Sequence, residues 1–425
     1  MINFKFLKQG ARCYIDVYRG SENRRFGDMS FIDQYLCIEN LRKNQRHFYD
    51  KTKKLYNLIS KILVNKVGKK LTTKIFKIAL LKSKIHFFEK KVFLLENLKN
   101  ETLNLIGNLI HNSSSFNKND CISRLFHIEG QFAQDSKTRN HVDLFKMIDG
   151  VDYKRGVNVA GQRGYFLKSP GLVLNLSILR YGIDFLSKRN FIALQTPLFM
   201  DKKMIKKCSQ LSDFDEQLYF LGNLQNKYLI ATSEQPISSF HFNEILEKKN
   251  LPLRYAGYSS CFRKETGNHG KDTSGIFRVH NFEKIEQFVF SDSSCSWKIF
   301  EEMIKNACDF YRTLHLPFLA IEIPSGSVNN SASKKIDILG WFPSSRRFRE
   351  LVSCSNCTDF QSREMNILID SVKKENFIHL LNSTLCASSR TICCILENCQ
   401  NSKGILLPDV LKSYTGFSFL PFTRM

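Results

Sequence analysis

The chain has 425 residues, of which 43% are hydrophobic, so it is too long for one small module and too apolar for a disordered one. It carries 63 Lys and Arg against 40 Asp and Glu, a net charge of +23. The first 110 residues hold 23 of those bases and only 9 of the acids, a concentration that points to a polyanionic partner. The N-terminus, Met1-Ile-Asn-Phe-Lys-Phe-Leu-Lys8, places charges where a secretion signal needs an apolar run. No stretch of about eighteen apolar residues is available to cross a membrane. Thirteen cysteines, scattered singly apart from Cys393-Cys394, suit free thiols in the cytoplasm or an equivalent reducing compartment.

From about residue 29 to 110 the chain has almost no glycine and no proline. Apolar residues at Ile78, Leu81, Ile85, Phe88, Val92, Leu95, Ile106 and Leu109 step by threes and fours, with Lys99 and Thr102 interrupting. Phe31, Tyr35, Ile38, Phe48, Leu55, Ile59 and Ile62 keep a similar register before them, with a polar gap at Arg42 and Gln45. Gly68 lies between the two runs and suits a helix end. The pattern predicts an antiparallel helical hairpin with arms of about 55 Å, turning near Gly68, within a first domain spanning 1–115. Lys51, Lys53, Lys54, Lys61, Lys66, Lys69, Lys70, Lys74, Lys77, Lys82 and Lys84 gather towards its tip. Such an arm is a solvated coiled-coil surface, a zipper for a protein partner, or a phosphate-tracking arm for shaped RNA.

Residues 111–125 read as a polar linker to a second domain, 116–425. There the pattern changes to short apolar runs, glycines and helices of ordinary length. Leu172–Arg189 has helical periodicity and leads into Phe191–Pro197, a short strand closed by proline. Several strands then follow in succession without βαβ alternation, which predicts an α+β domain on an antiparallel sheet.

The most informative segment runs from Arg254 to Phe290. Two strand-like runs flank a glycine-rich loop, Thr266–Ile276, too long for a tight turn. Period two puts Arg263 and Glu265 on one face of the first strand, and Phe282, Lys284 and Glu286 on one face of the second. Buried charges of this kind need partners, so the arrangement is costly for a core. It suits a nucleotide site in which Phe stacks, Arg meets phosphate and Glu accepts an amino group. A surface hairpin of ion pairs is the plainer alternative.

These residues resemble motif 2 of the class II aminoacyl-tRNA synthetases, and in particular the seryl-tRNA synthetases of cytosolic eukaryotic type. Gln195-Thr-Pro197 resembles the motif 1 strand, and Thr232-Ser-Glu234 is similar to the family's Thr-x-Glu element. Phe348-Arg-Glu350-Leu-Val-Ser353 resembles the strand serving ATP and metal. Leu381-Asn382-Ser-Thr384, running into Arg390–Asn398, looks like motif 3, and the basic hairpin stands where this family keeps its tRNA-binding arm. The resemblance covers most of the chain in five ordered motifs.

What the resemblance implies is ATP-dependent activation of L-serine by a homodimer, with transfer to the 3′ end of tRNA(Ser) and use of tRNA(Sec) as a further option. Arg263 would hold the α-phosphate and meet the serine carboxylate, with Glu265 on the adenine side, Phe282 stacked on the ring and Arg390 on its other face, reaching the γ-phosphate. Arg278 and His269 would assist with phosphates. Glu350 and Ser353 would hold Mg2+ with ATP. Thr232, Glu234, Glu286, Asn382 and Thr384 would line the serine pocket, with Arg263, Glu286 and Arg390 closest to the chemistry. Lys53, Lys54, Lys61, Lys66, Lys69, Lys70, Lys74 and Lys77 would meet tRNA, and Pro197 would lie at the dimer interface. No editing is needed against alanine, because a site built for a substrate hydroxyl rejects its lack by about 10⁴–10⁵.

Two positions depart from the family pattern: Ser274 replaces an arginine in the motif 2 loop, and Leu339 replaces a glutamate in Asp337-Ile-Leu-Gly-Trp341. Cys354-x-x-Cys357 lacks a second pair, so no zinc site is expected. The rival readings are a synthetase-derived RNA-binding regulator without catalysis, and a paralogue that loads a carrier protein and leaves the arm unexplained.

Overall fold

The computed structural model describes residues 12–64, 71–119, 123–132, 138–208, 217–222, 226–266, 275–370 and 376–423. The chain divides into a helical unit ending at Gly107 and a larger unit starting at Asn108. The residues from 108 pack with the second unit: the Asn108 amide donates to the Ser331 and Cys357 carbonyls, at 2.9 and 2.8 Å.

The helical unit comprises α1 (Arg12–Arg24), α2 (Ser30–Val64) and α3 (Leu71–Asn104). At about 1.5 Å per residue, α2 and α3 are each roughly 50 Å long and pair antiparallel. Gly68, Lys66, Lys69 and Lys70 lie outside the described residues, as does the side chain of Lys74. On α3 the seam is the one predicted, from Ile78 to Leu95 and on through Lys99 and Thr102. On α2 it differs from the prediction. Tyr35, Ile38, Arg42, Gln45, Tyr49, Thr52, Tyr56 and Ile59 face inward, whereas Phe48 and Leu55 are 48% and 47% exposed.

The reason is that the polar gap belongs to the seam. Arg42 meets the buried Glu39 at 2.7 Å and Glu96 of α3 at 3.3 Å, so a charged layer replaces an apolar one without breaking the alternation of threes and fours. Phe48 and Leu55 sit one position off and join Leu41, Leu80, Phe87 and Leu94 among the exposed apolar residues. Phe48 stacks on Phe88 at 6.0 Å, and the Lys91 ammonium lies 4.5 Å over Phe87. The tip lysines Lys53, Lys54, Lys61 and Lys77 are exposed.

The second unit is built on an eight-stranded sheet. Its strands are β1 (Arg124–Glu129), β2 (Ile192–Gln195), β3 (Leu253–Phe262), β4 (Asn281–Ser291), β5 (Phe318–Glu322), β6 (Lys334–Phe342), β7 (Arg347–Asn356) and β8 (His379–Ala387). They lie in the order β1-β5-β6-β7-β8-β4-β3-β2. Every pairing is antiparallel except the edge pair of β2 with β3. Three helices, α4 (Ser169–Ser187), α5 (Ser296–Thr313) and α6 (Ser388–Asn398), pack on the sheet. Their buried faces meet in one core that includes Leu174, Ile178, Phe310, Tyr311, Ile392 and Ile395.

The opposite face is where polar residues collect. Across it run the pairs Asp337–Ser353, Ser355–Asn382 and Thr384–Glu286, and directly opposed residues share a face. Glu286 also opposes Gly257 on β3. A side chain at Gly257 would meet Ile237 at 2.3 Å, so this glycine lets the short helix Glu234–Ser238 approach the sheet.

Candidate active site

The centre of this face is Glu286, 3% exposed on β4. Its Oε2 accepts from the Thr232 hydroxyl at 2.7 Å, the Ser233 hydroxyl at 2.5 Å and the Glu234 backbone amide at 2.8 Å. Its Oε1 accepts from the Lys284 ammonium, which also donates to Thr232 Oγ1 at 2.7 Å. Burial alone would raise the Glu286 pKa, but the charge of Lys284 and these donors win and hold it below its ordinary value. Glu234 behaves oppositely. Enclosure and the nearby Glu286 push its carboxyl up to about 7, against a hydrogen bond from Gln361 Nε2 at 3.2 Å.

Arg263 follows β3 and is anchored through Nε to the Ala231 carbonyl at 3.2 Å. The arginine and the Glu286 carboxylate are therefore tied to consecutive residues, 231 and 232, of one loop. The Arg263 guanidinium lies 5.3 Å over the ring of Phe282. Arg278 pairs with Glu265 at 3.0 Å, and Arg163 holds the Glu265 carbonyl at 3.2 Å. Arg390 enters from the first turn of α6. It donates to the Glu350 carbonyl at 3.0 Å, lies 3.5 Å from the Glu350 carboxylate, and stands 5.1 Å over Phe277. Burial lowers the Arg390 pKa, Glu350 opposes that, and the charges of Arg263 and Arg278 lower it further. Three guanidiniums thus converge on one enclosed region, an arrangement that favours a polyanion.

Beside them, Asp337 on β6 is 5% exposed, and among the described residues its Oδ1 has no hydrogen-bond partner. Burial and the charge of Glu350 push its carboxyl up to about 6, although Lys335 lies 3.1 Å away. Glu350 itself is half-exposed. Burial raises its pKa, but Arg390, Lys335, Arg263 and Lys284 together hold it below the ordinary value. Ser353 stands opposite Asp337, so oxygen donors, the type a hard divalent cation such as Mg2+ prefers, occupy neighbouring positions of β6 and β7.

The sequence-predicted residues therefore gather as follows. Thr232, Glu234, Lys284 and Glu286 form one hydrogen-bonded cluster, while Asn382 and Thr384 line the same face, Asn382 donating to Cys357 Sγ at 3.6 Å. Glu265 is engaged by Arg278, Arg263 lies over the Phe282 ring, and Arg390 lies over the Phe277 ring. His269 and Ser274 lie outside the described residues. Leu339 opposes Glu350 across a bulge, so the family's glutamate position here faces a carboxylate with an apolar side chain. Cys354 and Cys357 are buried, with thiols pushed up by burial. Pro197 is exposed just beyond the edge strand β2, next to exposed Leu198 and Phe199.

Ser233, Phe277, Asp337 and Gln361 were not singled out from the sequence for the site. Ser233 sits inside the Thr-x-Glu element, so that element's spacing already placed it there. Gln361 is contributed by a short helix, Phe360–Met365, whose proximity only the fold reveals.

A largely antiparallel sheet presenting a buried carboxylate beside converging arginines is the arrangement that the resemblance to the class II aminoacyl-tRNA synthetases implies. Residues 221–399 match the family described as "tRNA synthetase class II core domain (G, H, P, S and T)". The cytoplasmic serine–tRNA ligase of Arabidopsis thaliana is 43% identical, over 99% of this chain and 96% of that relative. The crystal structure of cytoplasmic serine–tRNA ligase from Naegleria fowleri in complex with AMP superposes with a TM-score of 0.85 at 39% identity, covering 96% of both chains. That of seryl-tRNA synthetase from Pyrococcus horikoshii complexed with ATP gives 0.89 at 30% identity, over the full length of both. The chain belongs to the serine–tRNA ligase family.

Proposed function

We infer that this chain activates L-serine with ATP to seryl-adenylate and transfers the seryl group to the 3′ end of tRNA(Ser). The observation that carries this reading is the adjacency of two recognition environments. A buried, ionised Glu286 lined by hydroxyls suits an ammonium and a hydroxyl, and the Arg263–Arg278–Arg390 group beside it suits a triphosphate. An amino acid bound at the first would direct its carboxylate towards Arg263, next to the α-phosphate. Catalysis is then positioning and charge neutralisation, with no covalent enzyme intermediate. The AMP and ATP bound by the two structural relatives support the nucleotide assignment.

Within this reading Thr232, Glu234, Glu286, Asn382 and Thr384 line the serine pocket, and Phe282 with Glu265 and Arg278 serves the nucleotide. Glu350 and Ser353 are the residues that would hold Mg2+, with Asp337 behind them. The ion would supply charge neutralisation for the departing pyrophosphate. The lysines of the helical arm would track tRNA phosphates, giving affinity through counterion release rather than base readout. Exposed apolar residues at the β2 edge and Pro197 support a homodimer through that edge. The relatives' cytoplasmic names support a cytoplasmic location; among the described residues no helix is long and apolar enough to cross a membrane. No observation favours the reading without catalysis. ATP–pyrophosphate exchange across an amino-acid panel tests the activation step, and charging of tRNA(Ser) tests the transfer.

A further inference from the structure

Lys284 is 5% exposed, and its ammonium bridges two residues of the serine pocket, Glu286 Oε1 and Thr232 Oγ1. A hydroxyl has one proton to give. Because Thr232 Oγ1 accepts from Lys284, that proton is directed onto Glu286 Oε2 at 2.7 Å. Oε2 then carries three donors, from Thr232, Ser233 and the Glu234 amide, and is saturated. Only Oε1, with Lys284 on one side, retains capacity for a substrate donor.

We propose that Lys284 is a positioning residue for serine recognition: it keeps Glu286 charged, turns its Oε1 towards the substrate and fixes the direction of the Thr232 hydroxyl. This rests on the serine-activating reading of the site. The groups facing Glu286 explain why a lysine is needed. Glu234 faces it from the start of the short helix Glu234–Ser238 and the negative field of Glu350 reaches the pocket from β7; the Cys261 thiol, Gly257 and Thr384 are uncharged neighbours on β3 and β8. Among the described residues Arg263 is a further nearby cation, and it is committed to the Ala231 carbonyl and the Phe282 ring. Without Lys284, a carboxylate buried among other carboxylates takes up a proton in the neutral range, and a protonated Glu286 is a poorer acceptor for the substrate donor at Oε1.

The test is steady-state ATP–pyrophosphate exchange on the full chain and its Lys284→Met and Lys284→Arg variants between pH 6.5 and 8.5, varying serine and ATP separately. The wild type must first show serine-dependent exchange; its absence would overturn the functional reading and this proposal with it. Given that exchange, Lys284→Met is expected to raise KM for serine by about 10- to 100-fold at pH 7, the loss of a charge-assisted hydrogen bond. The deficit relative to wild type should be level on the alkaline side and grow as pH falls through the neutral range, approaching about tenfold per unit at its acid end, with KM for ATP within about twofold of wild type. A merely structural lysine would raise both KM values together, with no new pH dependence, and that result overturns the proposal. Lys284→Arg keeps the charge, so its serine KM should follow the wild-type pH profile. If Lys284→Met does not fold, the arginine variant decides alone: a new acid-side rise in its serine KM would contradict the role given to the charge.

Discussion

Replacing Glu234 with glutamine isolates a proton held beside Glu286. Enclosure and the adjacent Glu286 push the Glu234 carboxyl up to about 7 from an ordinary 4.5. A displacement of about 2.5 units at 1.36 kcal/mol each corresponds to about 3 kcal/mol. Between pH 4.5 and 7 the folded chain holds a proton that the unfolded chain has released. Stability attributable to this group therefore falls as pH rises through that window and is level above it. Glutamine does not titrate, so Glu234→Gln loses the slope. The variant and the wild type should be separated by about 2–3 kcal/mol more at pH 8 than at pH 5, in favour of the variant. Asp337, pushed up to about 6, adds a slope of the same sign to both proteins and cancels in the difference. Urea unfolding followed by the fluorescence of Trp297 and Trp341 measures it, both residues belonging to the larger unit. A pH-independent difference, or one that shifts towards the wild type as pH rises, would refute the placement of a proton on Glu234.

Arg263→Ala should lower kcat/KM for exchange at least about 100-fold, close to 3 kcal/mol of transition-state stabilisation, while leaving the melting temperature within a few degrees. Replacing Ser30–Asn104 by a short linker should leave exchange within about threefold and abolish tRNA charging; loss of exchange as well would show that the arm serves the chemical step. On α2, Tyr49→Ala should cost the helical unit about 2–4 kcal/mol, whereas Phe48→Ala, at a site 48% exposed, should cost less than about 1. Comparable losses would contradict the seam as drawn. Glu350→Gln should raise the Mg2+ concentration needed for half-maximal exchange by about tenfold or more, and unchanged Mg2+ dependence would move the ion elsewhere.

Much of this was legible because local patterning carries it. The α3 seam follows from its threes and fours, and the sharing of one face by Lys284 and Glu286 follows from period two. The α2 seam was misread between Ile38 and Ile59 because Arg42 and Gln45 look like an interruption. Only the partners Glu39 and Glu96 show that a charged layer can occupy a seam. Helix α1 is short and mostly polar in composition, and was not anticipated. The site was legible as motifs but not as contacts. Nothing in the spacing says that Arg278 takes Glu265, that Phe277 lies under Arg390, or that Gly257 exists to admit the helix bearing Glu234. Those depend on strand order and on which residues face each other across it, which sequence spacing leaves open.

The most direct test of the account is ATP–pyrophosphate exchange by the purified chain, with serine compared against threonine, alanine and glycine. The expected result is Mg2+-dependent exchange with serine alone, lost in Arg263→Ala. Exchange that does not discriminate serine from alanine, or none from folded protein, would contradict the assignment of Glu286 and the arginines beside it.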